Sequence, residues 1–282
     1  MKNSKIIDLF GRDTTTMKQP EWAAVVRSQQ CPFVQKRCYK VRKSQPEISI
    51  GTCTVRHGND PVIICPLGLL ERRQIFIDCL RLLSHEPGNE IHLVGELGIP
   101  GGSLDYCIAS VRDGKVRDFV GAELQALDTI GTVWPERQRF LKAVGFAGIS
   151  EVDTGSRRPC GVNWKMTAKT ILVQLHHKIG IFERLKKHLV LVFQDRLLDY
   201  MTREFSFDHL RDARRADPMH FHAYGLLPAR GGHQLVLKKE LSTDAEGVAR
   251  CLGMQEGGDV QLDVILGLIG ARLTMDTRFT SV

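Results

Sequence analysis

The sequence predicts a mixed α/β fold. Apolar, β-prone segments at residues 104–111, 116–126 and 188–193 alternate with helical patterns at residues 165–182 and 196–204. This alternation is typical of a sheet covered by helices. A chain of 282 residues, 43% hydrophobic and 25% charged, can bury the core of one large domain or of a domain with an appendage.

The composition favours a protein of the cytoplasm that does not enter a membrane. The first ten residues lack the apolar core of a signal peptide, and no apolar run reaches the roughly 18 residues needed to span a bilayer. In that compartment the eight cysteines are expected to be metal ligands, reactive thiols or small core residues, and not disulfides.

Charge is unevenly distributed along the chain. The net charge is +7 with a pI near 9.0, and residues 157–215 carry 13 Lys and Arg against 6 Asp and Glu. Residues 86–128 instead carry 8 acids against 3 bases. An acidic centre beside a basic half suits a metal-dependent enzyme that acts on a polyanion. An uneven but merely solvated surface is the alternative.

The N-terminal part concentrates half of the cysteines. A helix is predicted to start at residues 20–22, and short strands are predicted at residues 48–55 and 61–65. Four thiolates can close a tetrahedral site around zinc or iron, or the thiols are small core residues without a metal. The four candidates are Cys31, Cys38, Cys53 and Cys65.

A basic loop, residues 36–43, lies between the first and third of these cysteines and contains no acid. If the cysteines hold a metal, the loop is a candidate contact for phosphate groups. Its basic residues are Lys36, Arg37, Lys40, Arg42 and Lys43.

The apolar spacing of residues 67–84 predicts one amphipathic helix, and the helix breakers in residues 85–89 end it. We therefore place a boundary between an N-terminal segment, residues 1–85, and a main domain, residues 86–282.

An acidic hairpin opens the main domain. The Asp113-Gly114 pair between two β-prone segments is a strong hairpin signal. Glu123 and Gln125 point to one face, since side chains alternate along a strand. A plain two-residue turn would make Asp105 face away from them. Asp105 shares their face only if the hairpin has a three-residue turn or a β-bulge.

The acidic residues follow the order of a known nuclease constellation. Glu96, Asp105 and then Glu123-x-Gln125 resemble the PD-(D/E)XK nucleases, in which carboxylates bind Mg²⁺ and the last residue orients the attacking water. Gln125 replaces the usual Lys, which removes a positive charge beside the nucleophile. Phosphodiester hydrolysis needs such hard oxygen ligands and stabilisation of the charge that grows on the phosphate.

Together the cysteines and the hairpin resemble the NotI-type type II restriction endonucleases, a PD-(D/E)XK family with a four-cysteine iron-binding fold before its nuclease core. The resemblance covers about residues 31–131 and extends through Gly161 to Lys169; nothing is recognised beyond Asp217. The matching segments are Cys31-Pro-Phe, Cys38, Gly51-Thr-Cys53-Thr-Val, Ile64-Cys65-Pro, Gly95-Glu96, Gly102-Ser-Leu-Asp105 and Gly121-Ala-Glu123-Leu-Gln125-Ala-Leu-Asp128-Thr-Ile-Gly131.

The resemblance implies a PD-(D/E)XK restriction-endonuclease-like core with a small four-cysteine metal-binding domain. It implies that the four cysteines bind a structural iron, although zinc suits four thiolates equally well. It also implies that Asp105 and Glu123 hold a catalytic Mg²⁺ and that Gln125 positions water, with Glu96 as a fourth catalytic member.

Basic residues after the hairpin are candidate DNA contacts. Arg157 and Arg158 lie in a predicted loop, and Lys165 and Lys169 lie four residues apart near the start of a predicted helix. Further strands are predicted at 220–227 and 233–241, a capped helix at 243–253, and a last apolar element at 260–273.

The predicted function is Mg²⁺-dependent, site-specific double-strand cleavage of DNA. A homodimer would present two active sites to the two strands of a palindrome, and a DNA methyltransferase would protect the host as the partner in a restriction-modification system. Two alternatives remain open. One is a structure-specific repair or recombination nuclease, and the other is a non-catalytic DNA-binding protein on a degenerate nuclease core.

Overall fold

A computed structural model describes residues 4–15, 19–84, 86–155, 160–229, 232–254 and 271. Its N-terminal part consists of short antiparallel strand pairs and short helices. These elements are β1 (Asp8–Leu9), β2 (Arg12–Asp13), α1 (Gln19–Ser28), β3 (Val41–Arg42), β4 (Gln45–Ser49), β5 (Thr54–His57), β6 (Asp60–Ile63) and α2 (Gln74–Cys79), with 3₁₀ turns at Pro66–Arg73 and Leu80–Leu82.

The prediction of one continuous helix over residues 67–84 is wrong. Glu71 is extended, and Arg72 and Arg73 have positive φ angles of 50° and 55°, so the chain kinks before α2. The Glu71 carboxylate accepts a hydrogen bond of 2.6 Å from the backbone N–H of Leu235, far away in the sequence. A tertiary contact therefore holds the kink that the local apolar spacing does not reveal.

The remaining strands form one large mixed sheet and one small pair. The large sheet has the order β13-β15-β14-β12-β9-β8-β7, and β10 pairs with β11. The strands are β7 (Glu90–Ile99), β8 (Gly102–Arg112), β9 (Lys115–Gln125), β10 (Thr129–Ile130), β11 (Gly161–Val162), β12 (His188–Gln194), β13 (Arg211–Asp212), β14 (Met219–Ala229) and β15 (Gly232–Thr243).

The sheet combines an antiparallel meander with a parallel centre. Strands β7, β8 and β9 pair antiparallel, whereas β9, β12 and β14 pair parallel. A parallel pair needs a crossover, and α5 supplies it between β9 and β12. The helices are α3 (Trp134–Ala143), α4 (Glu151–Gly155), α5 (Trp164–Arg184), α6 (Asp195–Glu204) and α7 (Ala245–Cys251). In the described part of the chain no helix is long and apolar enough to cross a bilayer.

Apolar side chains cover both faces of the sheet. On one face Leu189, Leu191 and Phe193 of β12 pack with α5, α6 and α7. On the other face Val190 and Val192 pack with the segment that contains α2. The mixed α/β class is confirmed, and the predicted hairpin, the strand after α5 and α6 all form. The element predicted at residues 260–273 lies outside the described residues.

Candidate active site

The acidic hairpin contains the bulge that the functional prediction requires. Arg112 pairs with Lys115, so the turn has two residues, Asp113 and Gly114, whose φ angles are 52° and 68°. These positive angles are those of a type I′ turn. The register then shifts between Ser110 and Val111.

The shift moves Asp105 onto the face of Glu123. Tyr106 pairs with Ala122 and Cys107 with Gly121, so the same register sets Asp105 opposite Glu123. The Asp105 Oδ2 atom accepts a 2.7 Å hydrogen bond from the backbone N–H of Leu124. The two carboxylates predicted to act together are thus neighbours across the hairpin.

Glu123 is buried and paired with a lysine from α5. Its Oε1 atom lies 2.6 Å from the Lys178 Nζ atom, and both side chains are 7% exposed. The same ammonium donates a 2.6 Å hydrogen bond to the carbonyl oxygen of Ser103. A buried charge without a partner is costly, so each member of this pair depends on the other.

Lys178 is a site residue that the sequence reasoning missed. It lies on the apolar stripe of α5, in line with Leu175 and Phe182, where a lysine is expected only with a buried partner. The position of a lysine in this buried apolar stripe was the sequence signal that could have identified Lys178. Because Gln125 replaces the usual Lys, the hairpin itself lacks a positive charge beside the carboxylates. Lys178 places a positive charge next to Glu123 from a different element, α5.

The electrostatic environment keeps the Glu123 carboxyl close to its titration point at neutral pH. Burial raises its pKa from the ordinary 4.5 to about 7, although the bond and charge of Lys178 oppose this rise. The nearby Asp105 carboxylate adds to it. Perturbed carboxyls of this kind concentrate at functional sites.

Asp105 and Glu123 each keep an oxygen with which they could hold a cation. The interactions above use Asp105 Oδ2 and Glu123 Oε1; the other two oxygens, Oδ1 and Oε2, have no hydrogen-bond partner within the described residues. Over the same residues, no three His, Cys, Asp or Glu side chains form a group that could hold a metal ion. A pair of carboxylates still suits Mg²⁺, which usually takes one or two carboxylates and keeps several waters.

Glu96 lies beside this pair on β7. The flanking pairs Gly95–Tyr106 and Leu97–Leu104 set it opposite Asp105, so three acids form a row across β7, β8 and β9. Glu96 is exposed and has a φ of 52°, which is unusual for a residue with a side chain. Backbone strain of this kind is often found at active sites.

Gln125 lies at the carboxyl end of β9. It pairs with Phe193 as Glu123 pairs with Leu191, so strand alternation directs Gln125 and Glu123 to the same face. Its Nε2 atom donates a hydrogen bond to the carbonyl oxygen of Ala126. That bond leaves the Oε1 atom as an acceptor for a water molecule.

The four N-terminal cysteines are buried and close enough to influence one another. A hydrogen bond with Cys53 lowers the pKa of Cys65 to about 6, and the Lys40 charge contributes. The pKa of Cys53 is raised well above its ordinary value by that same bond and by burial. Burial, and the charges of Cys65 and Cys31, raise the pKa of Cys38. Thiols are donors that suit zinc or iron, but in the described part of the chain these four do not form a group of three or more that could hold a metal ion.

The basic loop beside the cysteines is largely engaged with the protein itself. Lys40 donates a hydrogen bond to the carbonyl oxygen of Ile64. Arg37 donates to the carbonyl oxygen of Pro46 at 3.0 Å, and Arg42 pairs with Asp153 at 2.8 Å. These residues brace the cysteine segment, and only part of the loop's charge remains available for phosphate groups.

Two of the four predicted DNA contacts can be placed. Lys165 and Lys169 are exposed on α5 and form no ion pair within the described residues. Arg157 and Arg158 lie outside the described residues. The structure therefore supplies a basic helix surface on the element that also carries Lys178.

No protein-family model matches the chain, and no curated protein matches its sequence.

Proposed function

We propose that this protein is a type II restriction endonuclease that makes Mg²⁺-dependent, site-specific double-strand cuts in DNA on a PD-(D/E)XK-like core. The observation that carries the proposal is the row of Asp105 and Glu123 with Lys178 bound to Glu123. Phosphodiester hydrolysis needs carboxylates that hold a hard metal ion. It also needs a positive charge that stabilises the negative charge growing on the phosphate.

Each residue then has a role that its surroundings support. Asp105 and Glu123 would hold Mg²⁺, which when bound supplies a more nucleophilic water and neutralises phosphate charge. Gln125 accepts a hydrogen bond from the attacking water and orients it. Lys178 holds the Glu123 carboxylate in place, and its ammonium offsets negative charge at the scissile phosphate. Glu96 adds a carboxylate at the exposed side of the row.

The rest of the assignment follows from this site. Lys165 and Lys169 contact the DNA backbone, and the four cysteines hold a structural iron or zinc that stabilises the N-terminal segment. A homodimer would bring two such sites to the two strands. A DNA methyltransferase of the same restriction-modification system would protect the host DNA.

Plasmid cleavage tests the proposal. With Mg²⁺, the wild-type protein should convert supercoiled plasmid into discrete linear fragments, and the Asp105→Ala variant should not, because it loses a metal ligand. Nicks at branched or damaged substrates only would favour the repair nuclease. Band shifts without cleavage would favour the DNA-binding protein, and equal cleavage by the variant would reject the site.

The pKa of Glu123 predicts how cleavage depends on pH. An acid whose pKa is raised to about 7 is increasingly protonated below that pH, and protons then compete with Mg²⁺ for its oxygen. We expect the Mg²⁺ concentration that gives half-maximal cleavage to rise about tenfold for each pH unit below that value. Mg²⁺ titrations of the cleavage rate at several pH values measure this; a half-maximal concentration independent of pH would contradict it.

A further inference from the structure

A cavity with aromatic and charged walls lies at the start of α5. Its volume is about 330 Å³. The rings of Trp164 and Tyr200 stack in its wall, 6.0 Å apart with 28° between their planes, and His57 meets Trp164 edge-on at 5.9 Å. A cavity of this size accommodates a single nucleotide unit and is too small for a duplex.

Two arginines and two aspartates line this cavity, so its formal charges balance, and Arg203 is the lining arginine that lies outside the ion pairs. Arg196 is neutralised by Asp60 at 2.6 Å and lies 3.9 Å from Asp199. The Arg203 guanidinium lies 5.9 Å from the centre of the Tyr200 ring and has no acidic partner within the described residues. Arg203 is therefore available to a phosphate group beside an aromatic wall, which is the combination that binds single-stranded nucleic acid.

Helix α5 connects this cavity with the acidic row. Trp164 begins the helix and Lys178 contacts Glu123 near its other end, a separation of roughly 21 Å at about 1.5 Å per residue. Lys165 and Lys169 are exposed along the way, and the helix has no acid before Glu183. At about 3.4 Å per nucleotide the separation corresponds to about six steps of a strand.

We infer that the cavity of Trp164, Tyr200 and Arg203 binds an unpaired nucleotide of the DNA strand that runs along α5 from the acidic row. The base stacks against the Trp164 and Tyr200 rings, and Arg203 contacts the adjoining phosphate. The inference rests on the proposed function because it concerns a strand of the duplex held at the same site, in which one nucleotide is unpaired where the strand reaches the cavity.

DNA binding without cleavage tests this directly. Full-length Asp105→Ala protein is titrated into three fluorescently labelled DNAs: a blunt duplex, the same duplex with a single-stranded tail, and that duplex with a tail of abasic sites. The natural tail should raise the affinity about tenfold, the gain expected from stacking one base. The abasic tail should give a smaller gain, since it keeps the phosphate that Arg203 contacts but has no base to stack.

Two variants and one control assign the effect to the cavity. Tyr200→Leu and Arg203→Ala should each reduce the gain from the natural tail and leave the affinity for the blunt duplex unchanged. Arg184→Ala, which removes an exposed charge from the other end of α5, should keep the gain. Arg203 is exposed, so its variant still gives the answer if Tyr200→Leu does not fold.

The outcomes separate this inference from the proposed function. Equal affinity for the blunt, tailed and abasic DNAs, or a full gain in the Arg203→Ala variant, would overturn the unpaired-nucleotide site. Plasmid cleavage by the wild-type protein would be unaffected by that result. Conversely, a tail-dependent gain would stand even if no plasmid were cut.

Discussion

Replacing Lys178 by Met is expected to lower the rate of DNA cleavage by about 10² to 10³, the usual cost of removing one group that stabilises transition-state charge. The substitution keeps the length and apolar stem of the side chain but removes the ammonium that lies 2.6 Å from Glu123. Initial rates of plasmid cleavage at saturating Mg²⁺ measure the effect.

The same substitution should also destabilise the fold. Breaking a buried ion pair costs roughly 3–5 kcal/mol when the remaining charge stays buried. Glu123 can avoid part of this cost by taking up a proton, because its pKa is already raised to about 7. Denaturant unfolding should therefore show a larger loss of stability for Lys178→Met at high pH than at low pH.

Two further variants separate catalysis from folding. The double variant Glu123→Gln, Lys178→Met leaves no buried charge in the pair, so it should recover stability and remain inactive. Lys169→Met removes an exposed lysine from the same helix and should leave the stability unchanged. Cleavage by Lys178→Met at the wild-type rate would show that Lys178 is a structural residue only.

The hairpin was predictable from the sequence, but the register that builds the site was not. Asp113-Gly114 is a local signal, since its preference for positive φ angles needs no tertiary partner. The bulge near Ser110 depends instead on which faces of β8 and β9 the rest of the chain buries. Sequence reasoning could state that the site requires a bulge or a longer turn, but it could not choose between registers.

Lys178 and the kink at Arg72 were missed for a related reason. Each is determined by a partner that is distant in sequence, Glu123 for the lysine and the Leu235 backbone for the kinked segment. Apolar spacing identified α5 correctly because its buried stripe is long. The same rule failed for the segment around Arg72, where helical spacing is present but long-range hydrogen bonds select another backbone path.

The cysteine cluster leads to the second large expected effect, on metal content and stability. Purified wild-type protein should contain a stoichiometric structural metal, iron or zinc, and Cys53→Ser should lose it. Cys53 is buried, hydrogen-bonded to Cys65 and within electrostatic range of Cys31. A serine oxygen is a poor replacement for a thiolate at a soft metal site.

The loss of metal should unfold the N-terminal segment, because this part of the chain consists mainly of two-stranded pairs and short turns. Structural zinc contributes roughly 10–16 kcal/mol of apparent binding free energy in small domains. This is as large as or larger than the whole free energy of unfolding expected for such a segment, so losing the metal should unfold it. Elemental analysis measures the metal, and thermal unfolding of the wild-type and Cys53→Ser proteins measures the consequence. A visible absorption band from iron–thiolate bonds would distinguish iron from zinc.

Cys160→Ser is the matched control for this prediction. Cys160 is half-buried and lies outside the four-cysteine cluster, so its substitution should leave both metal content and melting temperature unchanged. If wild-type protein carries no metal, or if Cys53→Ser and Cys160→Ser behave alike, the four thiols are small core residues. The N-terminal segment would then be stabilised by apolar contacts such as those of Trp22 with Phe140, whose rings pack edge-on at 5.1 Å.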